Sequence, residues 1–324
     1  MLARATVASI GALALMVACG GAEPVATDVD GGSASHDAAP VPVDAPPRQV
    51  ACSDRGAQPV DATWTVAGRH VEVHVPASYD PELATPLVLN LHGLTSSGAD
   101  LIEHSRMLPV ADARGFIAIH PDGSSSPRSW NAGDCCDGAA ASGVDDVAFL
   151  AAVLDEAEAR LCVDPRRIYA AGFSNGAFMA YRLACELADR IAAIGPVSGQ
   201  LGIDDCAPSR PVPVMHVHGT SDLIVAYDGD GFVDYRSVDE TLGFWTARDG
   251  CAEATTTTYD QGDATCVTYT GCDDGADVVR CTIDGGGHQW PGGTSTGVLG
   301  GMLSDDLDAS AALWAFFAAH PLPS

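Results

Sequence analysis

Lysine is absent from this 324-residue chain: its sixteen basic residues are all arginine, against forty-three acidic ones, for a net charge of −27. A surface of that sign repels phosphate backbones and anionic headgroups, which argues against nucleic-acid binding and against electrostatic attachment to a membrane. The acidic excess is expected to be a solvated face with no partner of its own. No C-x-x-C pair occurs, which removes support for a zinc-ribbon or thioredoxin-like reading. No internal repeat is visible either. The apolar content is 47% and the mean hydropathy +0.11, enough for a large packed core.

No apolar run is long enough for a comfortable membrane span; the longest, ATVASIGALALMVA, follows a charged MLAR start and reads as an export leader. It ends in MVAC, similar to the lipobox of bacterial lipoproteins, so Cys19 is the expected lipidation site and residues 1–19 the expected signal peptide. Cleavage nearby without lipidation is the alternative. Residues 20–50, rich in Gly, Ala, Pro, Ser and Asp and without aromatics, read as a disordered tether with a root-mean-square reach of ~30 Å. The only expected membrane attachment is a lipid on Cys19. Export accounts for the cysteines: with Cys19 set aside, ten remain, an even number for an oxidising compartment. Connectivity is not legible, but Cys266 and Cys281 flank a hairpin-like TGCDDGAD, and the adjacent Cys135 and Cys136 bridge either each other or two separate partners.

Residues 51–324 read as a single folded domain. HVEVHVP alternates with period two, as a half-buried antiparallel strand does. PLVLNLHG, GFIAIHPDG, RIYAAGFS, IAAIGPVSG, PVPVMHVHG and VVRCTIDGGG are short continuous apolar runs suited to parallel strands buried on both faces. Helical stretches lie between several of them: DDVAFLAAVLDEAEARL, NGAFMAYRLACELADR and SDDLDASAALWAFFAAH. The alternation predicts a three-layer α/β domain with helices on both faces of a mostly parallel central sheet.

GFSNG, residues 172–176, fits G-x-S-x-G, in which a strand turns sharply into a helix and the serine stands at the apex. A serine hydroxyl is a poor nucleophile without a base, and the base needs an orienting carboxylate. Two later strand ends supply candidates: Asp222 closing HVHGTSD, and His288 in IDGGGHQWPGG. The order Ser174, Asp222, His288 is that of α/β-hydrolases, with all three emerging at the carboxyl edge of the sheet. The backbone N–H groups of Leu94, in LNLHGL, and of Asn175 are the expected oxyanion donors, and His92 the structural support of that loop. His216 and His218 lie two apart on one strand face near Asp222, but no further ligand has the spacing for a metal; they are expected in the core or in hydrogen bonds behind the site. No metal or cofactor is needed for this chemistry.

Together, LHG, SWNAGDCCDG, VDDVAFL, CVDPRRIYAAGFSNGAFMAYRLAC, HVHGTSDLIVAYDG and GGGHQWPGG resemble the extracellular polyhydroxybutyrate depolymerase/feruloyl esterase group, akin to the family 1 carbohydrate esterases. The resemblance runs through most of residues 60–320. It implies an α/β-hydrolase fold, a Ser174–Asp222–His288 triad, and Trp130, Asn131 and Trp290 near the acyl or alcohol pocket, the two tryptophans either stacking on a sugar or phenolic ring or belonging to the core. Ala226 stands where relatives commonly carry proline, which implies a less rigid loop after Asp222. The expected activity is hydrolysis of carboxylic esters, with hydroxyalkanoate oligomers or feruloylated or acetylated polysaccharide fragments as substrates and no protein partner. A peptidase on the same fold and a non-catalytic, surface-anchored binding lipoprotein are the rival readings.

Overall fold

A computed structural model describes residues 52, 59–136, 138–229, 235–297 and 300–323. The leader, Cys19 and the tether lie outside the described residues. Seven strands and five helices lead from the amino-terminal edge to the middle of the domain. In chain order they are β1 (Asp61–Val66), β2 (Arg69–His74), β3 (Thr85–Leu91), α1 (Gly98–Ser105), α2 (Met107–Arg114), β4 (Ile117–Pro121), α3 (Gly138–Ala141), α4 (Asp146–Arg160), β5 (Val163–Phe173), α5 (Asn175–Glu186), β6 (Ile194–Val197) and β7 (Val214–Gly219). The rest are α6 (Val238–Arg248), β8 (Thr255–Gln261), β9 (Ala264–Tyr269), β10 (Val278–Ile283) and α7 (Ala309–Ala319).

The strands form one sheet in the order β1-β2-β4-β3-β5-β6-β7-β10-β9-β8. The central six, β4 to β10, are parallel; the β1–β2 and β8–β9 hairpins close the two edges antiparallel. This is the α/β-hydrolase architecture expected from the sequence. Every residue of β3, β4, β6 and β7 is buried, the physical reason for their uninterrupted apolar runs. The β9 strand near the far edge alternates buried and half-buried instead.

The pleat of β3 divides the core. Leu87, Leu89 and Leu91 face one side, with Phe149 and Leu150 of α4, Phe178 of α5 and Trp245 of α6. Val88 faces the other, with Leu101 of α1, Met107 of α2 and Leu313 and Phe317 of α7. The carboxyl-terminal helix is shorter than its sequence pattern: Asp308 caps it by accepting from Ala311 N–H, so SDDLD stays outside. Helices α1, α2 and α6 do not stand out in the sequence as periodic segments.

Among the described residues five disulfides join Cys52–Cys162, Cys135–Cys136, Cys185–Cys206, Cys251–Cys272 and Cys266–Cys281. Cys266 and Cys281 are directly opposed in the β9–β10 register, in agreement with the hairpin pattern. The vicinal cysteines pair with each other. Among the described residues no helix is long and apolar enough to cross a membrane.

Candidate active site

Strand β5 ends at Phe173 and α5 begins at Asn175, leaving Ser174 alone at the turn with φ 54° and ψ −123°. A non-glycine residue held there costs about 1–3 kcal/mol, tolerated only where its surroundings enforce it. They do so here. Ser174 N–H donates to Val197 O at 2.9 Å, tying the turn to β6. Gly172 and Gly176 are packed so closely that a Cβ on either would strike backbone, Gly176 against the Leu91 carbonyl. A serine preceding a helix ordinarily spends its hydroxyl on a capping bond; at this backbone angle Ser174 makes none. Among the described residues its Oγ has no hydrogen-bond partner, His288 included.

Asp222 sits three residues beyond the end of β7, and His288 five beyond the end of β10, on neighbouring strands of the parallel block. His288 Nδ1 lies 2.7 Å from Asp222 Oδ2. Its ring packs on Phe173, the residue before Ser174, with centroids 4.7 Å apart. Asp222 Oδ1 accepts from Ile224 and Val225 N–H at 2.9 and 2.8 Å. Burial favours the protonated acid, but the hydrogen bonds from His218 and His288 outweigh it and hold the Asp222 carboxyl far below the usual carboxylate range. The pair is therefore a carboxylate facing an imidazole whose Nδ1 carries a proton.

The loop after β3 brings Gly93 against the serine: a Cβ there would lie 3.2 Å from the Ser174 Cβ. Among the described residues, the N–H groups of Leu94 and Asn175 have no protein acceptor. His92 holds this loop. Its Nδ1–H donates to Gly93 O at 2.7 Å and its Nε2 accepts from Gly123 N–H at 2.8 Å, so the ring must be neutral. Burial drives its pKa down to about 4, against an opposing push from the Gly93 carbonyl and Asp122.

Trp130 and Trp290 lie in the core. Both indoles are wholly buried, so neither offers a ring face to a ligand. Trp130 Nε1–H donates to His92 O at 2.9 Å, and Trp290 Nε1–H to Ser310 Oγ at 3.1 Å, pinning the His288 loop to α7. They support the site from behind. Asn131 is half-buried, its amide Nδ2 donating to Val144 O at 2.8 Å, and is likewise committed to the protein. His216 and His218 are buried and hydrogen-bonded, and among the described residues no cluster of three metal-ligating side chains forms. The Ala226 loop is held by hydrogen bonds in place of a proline ring: Gln200 Nε2–H donates to Ala226 O at 2.9 Å.

The loops that carry these groups also carry an exposed apolar rim, which the sequence pattern does not disclose. Leu94, Leu223, Ile224 and Met302 are 36, 79, 46 and 45% exposed. Leu94 belongs to the loop after β3, Leu223 and Ile224 follow Asp222, and Met302 O accepts from Gly287 N–H beside His288. Within LIVAY the first two look like more buried strand; only the turn at Asp222 reveals them as surface.

Residues 74–244 match the family model described as Esterase PHB depolymerase. The chain belongs to this esterase family. It is 33% identical over 234 residues to feruloyl esterase B of Piromyces equi, covering 68% of this chain but only 42% of that protein. It thus spans less than half of that relative's length. A putative esterase, NocK, of Nocardia uniformis subsp. tsuyamanensis is 33% identical over 324 residues, covering 87% of this chain and 89% of the relative. Among solved structures, the acetyl xylan esterase of Aspergillus awamori superposes with a TM-score of 0.55 at 15% identity, covering 71% of this chain and 94% of that one, a likeness of fold. The matched family is one of esterases, and open parallel sheets carry their sites at the carboxyl edge of the strands, where Ser174, Asp222 and His288 lie.

Proposed function

We propose that the protein hydrolyses esters by two-step acyl transfer through Ser174, His288 and Asp222. The observation that carries this is the 2.7 Å Asp222–His288 bond, standing beside a serine strained into the apex between β5 and α5. His288 Nε2 takes the Ser174 proton as Oγ attacks the ester carbonyl. The tetrahedral oxyanion accepts from the Leu94 and Asn175 N–H groups, each such donor contributing roughly 3–4 kcal/mol to the transition state. The imidazolium returns its proton to the departing alcohol; water, deprotonated by the same nitrogen, then releases the acid. Asp222 stays ionised throughout, fixing the tautomer. The Ser174–His288 bond closes in the substrate complex, as is common for catalytic hydrogen bonds that are loose in free enzymes.

The apolar rim favours esters with an apolar acyl or alkyl portion, such as feruloyl groups or hydroxyalkanoate oligomers, over free sugar acetates. Residues 51–324 form the catalytic domain, exported behind leader 1–19 and held on the tether by a lipid on Cys19. Five disulfides suit such a compartment. Turnover of p-nitrophenyl butyrate tests the mechanism: Ser174→Ala should lower kcat by several orders of magnitude. Hydrolysis retained in that variant would refute it. A panel of methyl ferulate, 3-hydroxybutyrate oligomers and acetylated xylo-oligosaccharides tests the substrate class, which fails if only the acetates are cleaved.

A further inference from the structure

Behind Asp222 runs a buried file of rings. Tyr181 Oη on α5 lies 2.8 Å from His216 Nδ1, and His216 Nε2 lies 3.1 Å from His218 Nδ1. His218 Nε2 lies 2.8 Å from Val225 O and 3.3 Å from Asp222 Oδ2. All of these side chains are buried.

The protons along this file are determined. Val225 O only accepts, so His218 Nε2 carries a hydrogen. If His218 also carried one on Nδ1, His216 Nε2 would have to accept it. His216 Nδ1–H would then donate to Tyr181 Oη, whose own proton would be left in the core without an acceptor, at a cost of about 1–3 kcal/mol. The arrangement that satisfies every group runs one way: Tyr181 O–H to His216 Nδ1, His216 Nε2–H to His218 Nδ1, His218 Nε2–H to Val225 O and Asp222. Burial, then His218 and Arg280, push the His216 imidazole well below its ordinary pKa, in keeping with a neutral ring.

We propose that His218 is a positioning residue for the reaction, an inference that rests on the triad reading. Its single N–H faces both the carbonyl that ends the 222–225 turn and the Asp222 oxygen that orients His288. Val225 N–H bonds the other Asp222 oxygen, so His218 grips the turn from its far end. The rings of His216 and Tyr181 keep that N–H on the nitrogen where it is needed. His218 touches no reacting atom; it sets where the carboxylate stands and what Oδ2 has left to offer His288.

Two amide substitutions separate this role from simple packing. His218→Gln keeps an N–H at the place of Nε2; His218→Asn keeps an acceptor for His216 but does not reach Val225 or Asp222. With p-nitrophenyl butyrate and the purified chain, His218→Asn should lower kcat roughly 10- to 100-fold, the scale on which partners of a functional imidazole are felt. KM should stay within about twofold, and His218→Gln should recover most of the loss at a comparable melting temperature. Tyr181→Phe, which frees His216 to change tautomer, should lower kcat several-fold with KM unchanged. The proposal is overturned if the two amides are equally active, or if His218→Asn, or Tyr181→Phe should that variant not fold, turns over at the wild-type rate. Ser174→Ala is the parallel control: an active Ser174→Ala protein would remove the triad itself, whereas an inactive one beside a fully active His218→Asn removes only the role of His218.

Discussion

Asn175 and Trp130 exchange two hydrogen bonds: the Trp130 N–H donates to Asn175 Oδ1 at 2.7 Å, and Asn175 Nδ2 donates back to Trp130 O at 3.1 Å. The first residue of α5 is thereby locked to a loop whose indole holds the His92 carbonyl, so the two proposed oxyanion donors belong to one hydrogen-bonded unit. Asn175→Ala leaves its backbone N–H chemically intact but releases that lock. We expect kcat to fall on the order of 10²-fold, the cost of misplacing a reacting geometry by about 1 Å, with KM little changed. Trp130→Phe, which loses only the bond to His92, should show a smaller loss of the same kind. Steady-state kinetics on a chromogenic ester measures both.

The rim should set chain-length preference. Replacing Leu223 and Ile224 together by serine removes apolar surface beside Asp222 without touching its hydrogen bonds, which come from backbone N–H groups. KM for p-nitrophenyl octanoate should rise several-fold, at roughly 0.8 kcal/mol for each substrate methylene left in water, while p-nitrophenyl acetate kinetics stay near wild type. An equal effect on both esters would separate the rim from substrate binding.

Stability should respond to pH through two opposing sets of groups. His92 and His120 are held neutral by burial, with pKa values lowered to about 4 and about 3. The unfolded chain binds their protons first, so stability is fully present above about pH 6.5 and is lost as pH falls toward those values, on the order of 1–3 kcal/mol per histidine. Asp249 runs the other way: burial raises it to about 7, so its penalty is absent below the unfolded carboxylate pKa, grows as pH rises from there toward 7 and is fully present above it. Asp249→Asn should therefore raise the melting temperature at pH 8 relative to wild type and make little difference at pH 4. Thermal unfolding across pH 4–8 reads both slopes.

The Cys266–Cys281 disulfide closes a loop of sequence separation 15 between opposed residues of β9 and β10. Replacing both by serine should cost about 3 kcal/mol of stability. Because Cys281 lies on β10, whose end leads to His288, activity at low temperature should survive while thermal inactivation comes earlier. Residual activity after graded heating tests this.

What the sequence reveals and what it hides follow from the same physics. Strands buried on both faces announce themselves as unbroken apolar runs, and a glycine-flanked serine between strand and helix is a local pattern, so β3 to β7 and the turn at Ser174 are legible. Asp222 and His288 are legible because each follows the end of such a run. Trp130 and Trp290 stay open in the sequence because a tryptophan beside a conspicuous motif looks the same whether its indole faces a ligand or a carbonyl 38 residues away in sequence, as that of Trp130 does. The file from Tyr181 to His218 is hidden for a similar reason: it joins α5 to β7 across the core, and no periodicity encodes the meeting of two elements. Short helices such as α1 and α2, each burying only two or three residues, leave little periodic signal.

Labelling with a fluorophosphonate, followed by peptide mass mapping, asks whether Ser174 is the nucleophile. A single covalent adduct is expected on Ser174, formed rapidly in wild type and at least roughly 10³-fold more slowly in His288→Gln, where no base remains to accept the serine proton. An adduct on another residue, or equal labelling rates in the two proteins, would contradict it.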